Sequence, residues 1–121
     1  MFKEIMENDD AVIALICEGK LSQDDLKRMH ALLHDRLSAK GKPGLLVHLE
    51  GFEGYEGAAA MLEDLKMDIS HRNDFNRIAV VGERKWMEWG TRLAQFLTSG
   101  EMRWFDVKDA DQAAEWARVA R

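Results

Sequence analysis

A single cysteine cannot close a disulfide within the chain, so its 121 residues must hold together by packing. Cys17 lies in the apolar run AVIALIC with no histidine or basic cluster beside it, which reads as a small buried side chain in a reducing compartment. Proline occurs once, at Pro43, and no stretch is biased in composition, so no linker or low-complexity segment divides the chain. Long hydrophobic runs are also missing. Nothing approaches the roughly 18 apolar residues of a membrane span, and MFKEIMENDD lacks the charged and apolar blocks of a signal peptide. A cytoplasmic location is the expectation. The last absence is of basic excess: the formal net charge is -5, without a stripe of Lys and Arg, and this speaks against nucleic acid as a partner.

What is present suits one domain over residues 1–121, with 46% hydrophobic and 32% charged residues. Phe2 to Met6 and Ala11 to Cys17 flank ENDD, whose Asn and Asp favour a turn, so an antiparallel hairpin is expected. Ser22 and Asp25 form a capping box ahead of Leu26, Met29, Leu33 and Leu37, which recur at helical spacing until Gly41 and Pro43 break the pattern. GLLVHLE and RIAVVG are near-continuous apolar runs of strand length, the pattern of strands covered on both faces. Between them GFEGYEG reads as a glycine-rich loop, followed by AAAMLEDLKMDIS with Ala58, Met61, Leu62, Leu65 and Ile69 on one helical face. ERKWMEWGTRLAQFL reads as the next helix and EMRWFDV as a strand. Asp109 with Gln112 then caps a last helix that turns Ala113, Trp116, Ala117 and Ala120 inward. The order β-β-α-β-α-β-α-β-α predicts an α/β sandwich: a mostly parallel five-stranded sheet with an antiparallel N-terminal strand, and four helices. No internal repeat is read in it.

Several dispersed stretches have a further meaning. GKLSQDD before the first helix, DLK at Asp64 to Lys66, His71, DFNRIAVVG from Asp74 to Gly82, Trp86, EMRWF from Glu101 to Phe105 and AAEWA near the end occur in this order. Together they resemble the STAS class of domains (sulfate transporter and anti-sigma factor antagonist), and in particular the SpoIIAA-like family of small stand-alone bacterial proteins. The resemblance covers essentially the whole chain. The fold it implies is also similar to that of the CRAL-TRIO lipid carriers, which implies apolar molecules or membrane surfaces as ligands. In the anti-sigma antagonists of the class, a phosphorylatable serine or threonine lies where the third strand passes into the following helix. Here that junction reads HLEGFEGYEGAAA, with no Ser or Thr from Pro43 to Ile69, so a phosphorylation switch at that position is not expected. Tyr55, the one hydroxyl there, reads as packed or exposed rather than modified.

Candidate chemistry is sparse. His30 and His34 stand at i, i+4, but the glutamate of an HExxH motif and a third metal ligand are missing. Asp64, Asp68 and His71 share one side of a helix, which a solvated acidic face with a histidine near the helix C-terminus explains. Asp74 and Arg77 suit a local ion pair that organises the turn into RIAVVG, worth about 0–1 kcal/mol if exposed. There is no GxSxG nucleophile and no phosphate-cradling loop with its lysine, and the glutamates of GFEGYEG would repel phosphate. No catalytic residue, metal or cofactor is assigned, and the protein is expected not to be an enzyme.

The helix from Glu83 to Leu97 is richer. Trp86, Trp89, Gly90, Leu93, Phe96 and Leu97 fall in one arc covering roughly half the circumference, against the roughly 100° that packing on a sheet requires. One reading is that large side chains fill a small core and show their edges. The other is an apolar slot between helices 57–70 and 83–97. Met61 and Leu65 would face Trp86, Trp89, Leu93 and Phe96, Gly90 would admit a close approach, and His71 or Arg77 would meet a polar head. The expected function is therefore a non-enzymatic binding module for a small apolar or lipid-like ligand, with transient peripheral membrane contact. Its alternative is a STAS-like protein–protein interaction or regulatory module, acting on a partner or as a homodimer, without the phosphorylatable serine.

Overall fold

The computed structural model describes residues 1–5, 11–40, 43–57, 60, 75–83 and 101–118. Among these residues its main sheet has five strands, in spatial order β1 (Phe2–Ile5), β2 (Val12–Cys17), β4 (Gly44–His48), β6 (Arg77–Gly82) and β7 (Glu101–Asp106). The first two form the expected antiparallel hairpin, in register from Phe2 opposite Cys17 to Ile5 opposite Ala14. Strands β2, β4, β6 and β7 then run parallel. The apolar runs follow from this position: a central parallel strand is buried on both faces, so it needs apolar residues at every position rather than at every other one.

The two faces are covered by different helices. On one side Ile13, Leu15, Cys17, Leu45 and Val80 pack with Leu26, Met29 and Leu33 of α1 (Gln23–Lys40). Each such buried aliphatic side chain is worth about 1.5–3 kcal/mol relative to exposure. The capping box starts α1 as expected: the Ser22 N–H donates to Asp25 Oδ2 at 3.1 Å, and the Asp25 N–H donates to Ser22 Oγ at 3.0 Å. Farther along, Arg36 ties the helix to β1 through Nε to Glu4 Oε2 at 2.7 Å and Nη2 to Glu4 Oε1 at 2.6 Å. This two-point pair fixes a strand that, among the described residues, has a strand neighbour on one side only.

On the other face Val12, Ala14, Leu46, Ala79 and Val81 pack with Ala113 and Ala117 of α2 (Ala110–Arg118), which follows a 3₁₀ turn at Val107–Asp109. The side chains in this contact are small, so the helix lies close to the sheet. A Cβ on Gly44 would run into the Ala117 carbonyl oxygen, so only glycine fits there. Trp116 is half-buried and leans on Phe105, with ring centroids 5.9 Å apart.

One expectation is corrected. GFEGYEG is not a plain loop: Phe52–Tyr55 forms a strand, β5, parallel to β3 (Gly19–Leu21), making a second, two-stranded sheet. The pair is short and irregular because its register shifts by a residue between Gly19 and Lys20, and Gly54 takes φ 110° within β5. Alternation over so few residues leaves almost no strand signature. Of the four expected helices the first and last are α1 and α2; those at 57–70 and 83–97 lie, apart from residues 57, 60 and 83, outside the described residues.

Candidate functional site

Because β2, β4, β6 and β7 are parallel, the segments that follow them emerge at one edge of the sheet, the usual place for function in α/β folds. Glu18 follows β2 there, Glu50 follows β4 and Glu83 follows β6, all exposed. The chain then adds a structured ribbon at this edge. LEGFEGYEG consists of three successive triplets, each an apolar residue, a glutamate and a glycine, a repeat that the sequence reading passed over. Leu49 and Phe52 are buried and Tyr55 half-buried, whereas Glu50, Glu53 and Glu56 are exposed. Gly51, Gly54 and Gly57 take φ of 85°, 110° and 87°, and this left-handed step in each triplet keeps successive glutamates outward.

The ribbon is held by backbone hydrogen bonds. The Leu49 N–H donates to the Val81 carbonyl at 2.6 Å, Gly19 to Gly51 at 2.9 Å, and Glu56 to Leu21 at 2.7 Å. Phe52 and Tyr55 meet edge to face at 5.7 Å between centroids. The glutamates are thus displayed from a backbone anchored to both sheets. His48 stands beside them, with Nε2 4.0 Å from Glu50 Oε1, and its buried Nδ1 has no hydrogen-bond partner among the described residues.

The start of α1 closes the same edge. The Met1 ammonium donates to the carbonyls of Glu18 at 3.0 Å and Lys20 at 3.2 Å and lies 3.3 Å from Asp25 Oδ2. Burial of Asp25 works against its charge, but the Ser22 N–H, the ammonium and the Ser22 hydroxyl outweigh it and hold the carboxyl below its ordinary value of 3.8. Arg28 pairs with Asp24 and Asp25. These contacts bind charge locally, while Glu50, Glu53 and Glu56 stay exposed along the ribbon, with exposed Lys20 of β3 paired opposite Gly54.

Of the expected slot residues, Met61, Leu65, His71, Trp86, Trp89, Gly90, Leu93 and Phe96 lie outside the described residues. Arg77 is described: its Nη1 donates to the Trp116 carbonyl at 3.1 Å and its guanidinium lies 4.8 Å from the centre of the Trp116 ring. That carbonyl belongs to the last turn of α2, where helix carbonyls lack intrahelical partners and attract cations. Ala60, fully buried, packs in the α1-face core, on the opposite side of the sheet from this latch. His30 and His34 stack with centroids 4.7 Å apart and planes at 23°. Among the described residues no three His, Cys, Asp or Glu side chains gather to hold a metal ion, and no helix is long and apolar enough to cross a membrane.

The comparisons with known proteins agree with this architecture. A family model described as SpoIIAA-like matches residues 12–118. The chain is similar to the crystal structure of an uncharacterized protein of the DUF3478 family with a SpoIIAA-like fold from Shewanella loihica PV-4. The TM-score is 0.76 at 28% identity, over 97% of this chain and 92% of that one. No curated protein matches the sequence.

Proposed function

Because the chain belongs to the SpoIIAA-like family, we propose that it is a non-enzymatic, cytoplasmic interaction module that docks a protein partner through the carboxyl edge of its sheet. The observation that carries this reading is the ribbon from Leu49 to Gly57, which presents Glu50, Glu53 and Glu56 from an anchored backbone. The partner surface it suits is basic, since like charges opposed across an interface are strongly disfavoured. The ribbon occupies the junction where the resemblance places the phosphorylatable serine of the anti-sigma antagonists, and it offers no Ser or Thr. Docking here is therefore constitutive, its strength set by fixed carboxylates.

The test is capture of a stoichiometric partner by the wild type and by Glu50→Lys/Glu53→Lys/Glu56→Lys, over a series of salt concentrations. The side chains exchanged are exposed, so the variant should keep the wild-type circular dichroism spectrum while losing the partner, and wild-type capture should weaken as salt rises. Equal capture by both proteins at all salt concentrations would remove the edge from the account.

A second reading is favoured by the wide apolar arc of residues 83–97. In it a small apolar or lipid-like ligand lies between helices 57–70 and 83–97, against Met61, Leu65, Trp86, Trp89, Gly90, Leu93 and Phe96, and the protein touches membrane transiently. The polar head falls to His71 or to Arg77, whose Nη1 also meets the Trp116 carbonyl. Native mass spectrometry after gentle purification should then show a bound mass that is lost in Trp89→Ala. A mass equal to that of the bare chain, with tryptophan fluorescence unchanged by fatty acids or liposomes, would dispose of it.

A further inference from the structure

We draw no further inference here: the strongest candidate, the imidazole of His48 set beside Glu50 at the carboxyl end of β4, belongs to the acidic edge already described, and nothing in the structure shows what covers it.

Discussion

Gly44 and Asp25 show how far single residues decide this fold. At Gly44 a methyl group would meet the backbone of Ala117, which no rotamer change can move aside. Gly44→Ala should therefore destabilise the protein by about 1–3 kcal/mol, read as a lower urea midpoint with little change in slope. An unchanged midpoint would mean that α2 does not sit on β4 as described. Asp25 makes a prediction in pH. Its folded pKa lies below the unfolded one, so its contribution is complete above about pH 4 and is lost as pH falls through the folded value. Asp25→Asn should cost about 1 kcal/mol at neutral pH. The gap between wild type and variant should close on acidification, as checked by denaturant unfolding at several pH values. Ser22 and Asp25 were legible because a capping box is a local pattern. The need for glycine at 44 was not, because Ala117 lies 73 positions away and comes near only once the sheet and α2 are in place.

Among the elements, the inner strands β2, β4 and β6 were read correctly because double-sided burial writes itself into sequence as a near-continuous apolar run. The β3/β5 pair escaped that rule. It is short, its register slips, and its inward residues recur every third position rather than every second. The same triplet spacing was a signal for the candidate site, since an apolar residue, a glutamate and a glycine repeated three times is unlike ordinary loop composition. The final helix illustrates a different limit. Arg77 reaches a helix carbonyl 39 residues away, a contact that no local pattern announces, while its expected pairing with Asp74 lies outside the described residues. Apart from Trp116, α2 sets small side chains against the sheet, so that latch adds to its hold. Arg77→Met should speed amide exchange in α2 about tenfold or more while leaving β2 and β4 protected, as a lost charged hydrogen bond of about 1.5–3 kcal/mol requires. Exchange accelerated equally everywhere would instead make the latch part of global stability.

At the scale of the molecule, the carboxyl ends of the described strands lead into the exposed Glu18, Glu50, Glu53, Glu56 and Glu83, with the exposed Lys20 among them. The net charge of -5 already disfavoured nucleic acid, but only the parallel topology shows that these glutamates share one edge. The sheet, the capped first helix and the family were legible from local pattern; of the proposed docking edge only the LEGFEGYEG triplets were, because the rest is assembled from the ends of separate strands. The docking proposal places a partner over this edge, which hydrogen exchange on the purified complex and on the free protein reads out segment by segment. Partner-dependent protection is expected in the segment 50–57 and at Glu83, with the outer surface of α2 unchanged. Protection confined to α2 or to residues 84–97, with the ribbon exchanging as in the free protein, would contradict it.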